Sequence, residues 1–148
     1  MVVQEQQQQE QEYLLILVFI KVLQPTYQKI EAILPELRAM PQVECTEEHI
    51  FGPGMYVKQV TMPAGSVIVG KPHKTDHLCV LLQGRMKLVK EDGNVVELSA
   101  PATFVGKPGR KIAYIMETVV FQNIFATDET DVEKLEHMFV ETLALEGN

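Results

Sequence analysis

From His49 onward the chain is written in short apolar runs separated by Gly, Pro, Asn and Asp. Met55–Met62 lies between Gly-Pro-Gly and Pro-Ala-Gly, and Val67–Val69, His77–Gln83, Arg85–Lys90, Val95–Leu98, Thr103–Val105, Lys111–Met116 and Val119–Ala126 follow in the same texture. Runs of this length, rich in β-branched and aromatic residues and bounded by turn residues, predict strands. Glu91-Asp92-Gly93-Asn94 predicts a hairpin connection, because these residues tolerate the positive φ that tight hairpin turns demand. Eight short strands at near-regular spacing predict a mainly β domain, a sandwich or a barrel, over residues 49–127.

The flanks read differently. Residues 1–48 predict an N-terminal arm outside the β domain. Its start, QEQQQQEQE at 4–12, suits either an exposed helix or disorder. Tyr13–Leu23 (YLLILVFIKVL) is apolar and either extends that helix to Gln24 or forms a buried strand: Ile16, Val18, Ile20 and Val22 alternate as in a strand, the adjacent leucines blunt that signal, and periodicity leaves both open. Tyr27–Met40 sets Ile30, Ile33, Leu34 and Leu37 on one helical face, with Pro35 expected to kink or divide the helix and Pro41 to close it. Residues 128–148 predict a C-terminal amphipathic helix. Thr130-Asp131-Val132-Glu133 has the form of a capping box. Val132, Leu135, Met138, Phe139 and Leu143 form its apolar stripe, and Gly147 is its stop.

Charge narrows the function. With 13 Lys and Arg against 20 Asp and Glu, the formal charge is −7, which excludes a broad basic surface for nucleic acid. The basic clusters Arg85–Lys90 and Lys107–Lys111 are small and read as solvated strand or turn positions. Cys45 and Cys79 show neither metal-type pairing nor a disulfide framework, which fits a reducing compartment. Cys79, inside Leu78–Leu82, predicts a buried, inert thiol. Tyr13–Leu23 is shorter than the ~20 apolar residues of a membrane span, and it is broken by Lys21 and stopped by Pro25. No positive charge precedes it and no small-residue cleavage site follows, so it does not read as a secretory signal peptide. Its expected role is packing or assembly.

One segment carries a resemblance. Gly65, Lys71, His73, His77 and Gly84 fall at the spacing of the first cupin motif: Gly, five residues, His, one residue, His, three or four residues, Glu, six residues, Gly. Gly65, His73 and Gly84 match; Lys71 stands at the first His position and His77 at the Glu position. The second motif is weaker. Fixed on Pro108, its His position falls on Ala113 and its Asn position on Glu117; a shift by one residue brings Ile112 to the His position, and Asn123 comes too late. The resemblance implies a single cupin-type double-stranded β-helix (jelly-roll) barrel with an N-terminal arm and a C-terminal helix. The wider string, from His49-Ile-Phe-Gly-Pro-Gly through Ala100-Pro-Ala-Thr-Phe to Asp131-Val-Glu-Lys-Leu-Glu, is similar to small single-domain cupins encoded by tailed phages. That similarity implies a protein made in the host cytoplasm and associated with the virion.

A cupin metal site uses three His and one Glu. Here His73 and His77 are the two motif positions able to ligate Zn, Fe, Mn or Ni; Lys71 is a protonated donor and Ala113 has no donor at all. A third ligand would come from His49, Asp76, Tyr114, Glu117 or Gln122, with His49 preferred. Two imidazoles are too few for a tight site, which favours no bound cofactor and a hydrogen-bonded polar pair at the barrel mouth. Tyr56 and Tyr114 are candidate pocket walls or core. The first functional expectation is therefore a non-enzymatic cupin-fold protein acting through a homodimer or higher homo-oligomer, or through other virion proteins that meet residues 1–24. The second is a metal-dependent enzyme built on His73 and His77. The third is a metal-free sugar- or anion-binding module with Lys71, His73 and His77 as its donors.

Overall fold

The computed structural model of the protein describes residues 2–4, 27–90 and 94–141. Tyr13–Leu23, the hairpin residues 91–93 and residues 142–148 lie outside the described residues. Along the chain come β1 (Val2–Gln4), α1 (Tyr27–Ala39), β2 (Thr46–Gly52), β3 (Met55–Met62), β4 (Ser66–Val69), β5 (His77–Val89), β6 (Val95–Ser99), β7 (Ala102–Gly106), β8 (Ile112–Ala126) and α2 (Val132–Phe139). The domain is mainly β, and every strand pairing is antiparallel.

Two long strands build the barrel. β5 and β8 pair along most of their length. The first half of β5 also borders β7, and its second half borders β6. The first residues of β8 border β4, and its second half borders β3. Two sheets thus share the same long strands: β2-β3-β8-β5-β7, called here the front sheet, and β1-β4-β8-β5-β6, the back sheet. They curl over one another as a jelly-roll barrel.

The turn from one sheet to the other is written at Gly84. The β5–β8 register shifts between Leu81 and Met86. Gly84 has φ +89°, and a Cβ there would sit 2.8 Å from the Thr118 carbonyl carbon and 2.9 Å from Glu117 O. Only glycine meets both demands. The runs read separately as His77–Gln83 and Arg85–Lys90 are therefore one bent strand, as are Lys111–Met116 and Val119–Ala126. The hairpin expected after Lys90 is present in its flanking pairs: Val89 faces Val95, and Lys90 N donates to Asn94 O at 2.9 Å.

Met62, Leu81, Met86, Leu88, Ala113, Ile115 and Val119 fill the space between the sheets. Each large side chain buried there stabilises the fold by about 1.5–3 kcal/mol. A second core lies outside the barrel, where Ile33, Leu34 and Leu37 of α1 pack on Val67, Val69, Val89 and Ile112 of the back sheet. The helix also brings Glu31 Oε1 to 2.9 Å from Nε of the buried Arg110.

Four local expectations are corrected. The β domain begins at Thr46, not at His49, and Val2–Gln4 pairs with Ser66–Ile68, so parts of residues 1–48 are built into the barrel. Pro35 does not divide α1: its exposed ring meets solvent while the three buried apolar residues hold the helix to the sheet. The N-cap of α2 is Asp131, whose carboxylate accepts from Glu133 N (3.0 Å) and Lys134 N (3.3 Å). A carboxylate beside the helix N-terminus gains from the dipole as well as from the hydrogen bonds. Finally, α2 stops at Phe139, because Val140 turns to extended backbone and bridges to His73. Among the described residues no helix is long and apolar enough to cross a membrane.

Candidate functional site

The inward side of the front sheet is laid out in cross-strand rows. One row is aromatic: Phe51 faces Tyr56, Tyr56 faces Phe125, and His77 faces Gly106. The rings of Phe125 and His77 complete it, stacked with centroids 5.0 Å apart. The neighbouring row is His49, Lys58, Asn123, Cys79 and Phe104, and the third is Glu47, Val60, Phe121, Leu81 and Ala102. A cavity of about 330 Å³ opens over these rows. Met62, Met86, Leu88 and Ala113 form much of its apolar wall, and Leu135, Glu136 and Phe139 of α2 close one side.

His73 and His77 share the aromatic end. Their rings lie face to face, with centroids 4.3 Å apart and planes at 28°, and both stack on Phe125. The two residues do not share a strand. His77 opens β5, whereas His73 sits in the preceding loop, locked by reciprocal hydrogen bonds of 3.0 Å with the Gly109 backbone. The missing Cβ of Gly106 makes room for His77, since one built there would lie 2.9 Å from the ring and 2.8 Å from Cys79 Sγ.

The pair is electrically neutral near pH 7. Burial, then the neighbouring His77 ring and the ammoniums of Lys111 and Lys58, hold His73 down at about 3. Burial also lowers His77, partly offset by the Thr75 carbonyl and by Asn123, both of which favour a proton. His77 Nδ1 faces Thr75 O at 3.2 Å, and Nε2 faces the Asn123 side-chain oxygen at 2.9 Å. A neutral ring carries one proton, so it donates to one of these two oxygens at a time. His73 Nδ1 is buried and has no hydrogen-bond partner among the described residues.

A charged cluster stands beside this pair. Lys58 Nζ lies 3.0 Å from Glu136 Oε1 and 3.6 Å from Glu47 Oε1, and Lys71 Nζ lies 3.8 Å from Glu136 Oε2. Burial by itself would raise the Glu136 carboxyl. Lys58, by charge and hydrogen bond, then Lys71 and His49, outweigh it and hold the group below the usual carboxylate range. Burial, with the carboxylates of Glu136 and Glu47, pushes Tyr56 up to about 12, so its phenol keeps its proton and bonds His49 Nδ1 at 2.7 Å.

The metal expectation meets this geometry poorly. Among the described residues no three His, Cys, Asp or Glu side chains gather in one place. His49 stacks on Tyr56, and Tyr56 stacks on Phe125, so these two rings stand between His49 and the histidine pair. Asp76 pairs with Lys107 at 2.9 Å, Glu117 with Arg85 at 3.7 Å, and Gln122 bonds Gln59 at 2.8 Å. Stacked imidazoles do not converge on a common point, and both His77 nitrogens already have partners. Ala113, where the sequence resemblance places a third His, lines the cavity without a donor. The described residues do not fit a three-ligand metal centre.

Of the residues singled out from sequence, Lys71 and His73 line the cavity, His77 backs it, and His49 belongs to the Tyr56 end. Sequence spacing missed Lys58, Asn123 and Glu136, which arrive from three separate elements. One signal for Lys58 was present: in Met55–Met62 it shares the parity of the buried Tyr56 and Met62, an inward position where a lysine is unusual.

No known family profile matches the chain, and no curated protein matches it. Many solved structures do. KdgF from Halomonas sp. is 19% identical, with 60% of this chain and 87% of that one covered and a TM-score of 0.48. A cupin domain from Bordetella pertussis is 17% identical over 60% of this chain and 99% of that one, with a TM-score of 0.46. An acetylacetone dioxygenase from Acinetobacter johnsonii is 16% identical over 55% and 59%, with a TM-score of 0.45. None of their activities passes to this chain at such identities. The shared long strands, the Gly84 bend and the placement of His73 and His77 give the chain a single cupin-type jelly-roll barrel flanked by α1 and α2.

Proposed function

We propose that the barrel interior binds a small molecule directly through its side chains, without a metal. The ligand class that fits has an anionic or strongly hydrogen-bonding head and an apolar body. The observation that carries this is the mixed lining of the cavity: Met62, Met86, Leu88 and Phe121 supply apolar surface, and the ammoniums of Lys58, Lys71 and Lys111 line it together with two carboxylates, Glu47 and Glu136. Its volume lies at the low end of ligand pockets, which run from about 300 Å³ upward. The neutral His73 ring adds a further hydrogen-bonding group.

Calorimetric titration of chelator-treated protein with phenylacetate, glucuronate and glucose tests this. Saturable binding of a carboxylate is the expected result, and the cavity-filling variant Ala113→Phe should abolish it while the protein stays folded. Binding that persists in Ala113→Phe, or that needs added Zn(II) or Fe(II), would count against the proposal.

Self-assembly, the role first expected from sequence, is a second reading. It is favoured by a different observation, an apolar row exposed among the described residues on the outside of the front sheet.

A further inference from the structure

Cys79 follows His77 by two residues on β5, so both side chains leave the strand on its inward side. Cys79 pairs with Asn123 of β8, and Asn123 pairs in turn with Lys58 of β3. Lys58, Asn123 and Cys79 all line the cavity. The side-chain oxygen of Asn123 joins the thiol to the imidazole. It accepts from Cys79 Sγ at 3.7 Å and lies 2.9 Å from His77 Nε2. Gly106 leaves the space in which the two groups meet: a Cβ built there would lie 2.8 Å from Sγ and 2.9 Å from Nε2. Thr75 O faces the other ring nitrogen at 3.2 Å, and the rings of His73 and Phe125 stack on the imidazole. In the tautomer that donates Nδ1–H to Thr75, Nε2 keeps its lone pair. A thiol, a base beside it and further groups that orient the base are the parts of a nucleophilic site. Cys79 is 1% exposed, so a reagent meets it only through the cavity, and the lining decides which reagent arrives.

We propose that Cys79, with His77 as its base, is a covalent capture site for an electrophilic carboxylate, an α,β-unsaturated acid with an apolar body. The inference rests on the cavity reading above for the carboxylate and the body; the thiol, imidazole and amide add the reactive group. Lys58, Lys71 and Lys111 draw in the carboxylate, and Met86, Leu88 and Phe121 receive the body. In the step, Cys79 Sγ bonds to the electron-poor alkene carbon, and the π pair of the C=C bond moves to the neighbouring carbon. The thiol proton passes to His77 Nε2 and from there to that neighbouring carbon. Nothing leaves and no co-reactant is consumed; the product is a thioether that carries the whole ligand.

The test is time-resolved mass spectrometry of the intact full chain carrying Cys45→Ser, which removes the other cysteine lining the cavity. The probes are 3-benzoylacrylate and its uncharged amide. One adduct per chain is expected, absent when Cys79→Ser is added, with the acid reacting about 10-fold faster than the amide. His77→Phe should slow both probes by roughly 100-fold with thermal melting retained. Should H77F lose its cooperative melt, Asn123→Ala, which takes away the amide between thiol and ring, must slow them instead. A Cys79 that stays unmodified in the folded chain but reacts in urea overturns the proposal, as does a rate unchanged in both variants. Calorimetry with phenylacetate on the same samples separates the two readings. Binding retained beside an unreactive Cys79 overturns the covalent site alone. Acid and amide reacting equally at Cys79 uphold the nucleophile and count against the anionic head.

Discussion

The imidazoles of His73 and His77 lie face to face, 4.3 Å between centroids, although three residues separate them and only one belongs to a strand. Both rings are neutral in the fold, and this makes stability depend on pH in a definite direction. In the unfolded chain each titrates near 6.5, whereas in the fold His73 is held at about 3 and His77 is lowered. Below the unfolded value the unfolded state binds more protons, so stability falls as pH drops from about 6.5, by at most roughly 1.4 kcal/mol per pH unit for each histidine. Denaturant midpoints at pH 7 and pH 5 should show this loss, and His73→Phe, which keeps a ring between His77 and Phe125, should flatten it. An unchanged slope in that variant would remove His73 as the cause.

The Lys58–Glu136 pair is half-buried and holds α2 over the cavity. Lys58→Met should destabilise the protein by about 1–3 kcal/mol at pH 7, because it leaves Glu136 beside an apolar side chain. The lowered carboxyl of Glu136 contributes stability above its unfolded pKa that is lost as pH falls through its folded value. Lys58→Met should therefore also weaken the acid sensitivity below pH 4.5, which urea melts at pH 4 and pH 7 would reveal.

Gly84→Ala should cost more than an ordinary glycine substitution, about 2–4 kcal/mol, because positive φ and a backbone clash with Thr118 act together. At Gly106 the nearest atoms are the His77 ring and Cys79 Sγ, which can yield, so Gly106→Ala should cost less and chiefly displace the His77 imidazole. Thermal melts rank the two; the histidine ring resonances report the displacement.

Leu37 is fully buried against the back sheet. Leu37→Ala should lose about 2–4 kcal/mol, the cost of a core cavity. A loss below ~1 kcal/mol, typical of surface positions, would mean that α1 is not integral to the fold.

Much of this architecture was legible in the residues. The bounds of Met55–Met62 followed from turn residues on both sides, and the spacing from Gly65 to Gly84 led to the histidine pair. What escaped had physical causes. Thr46-Glu47-Glu48 is polar, and as part of an edge strand β2 shows little of the apolar signal that marks strands nearer the centre of the sheet. A glycine that bends a strand leaves the same break in a hydrophobic run as one that ends it, so β5 and β8 read as two strands each. The polar wall was invisible because Lys58, Asn123 and Glu136 meet only through the β3–β8–β5 register and the docking of α2.

The most direct test of the central claim is protein-observed NMR on metal-stripped protein, following the side-chain signals of His73, Asn123 and Lys58 during titration with phenylacetate and glucuronate. The account predicts saturable shifts for at least one carboxylate, unchanged by chelator and absent in Ala113→Phe. Silent cavity resonances with both probes, or shifts that arise only after Zn(II) or Fe(II) is added, would contradict it.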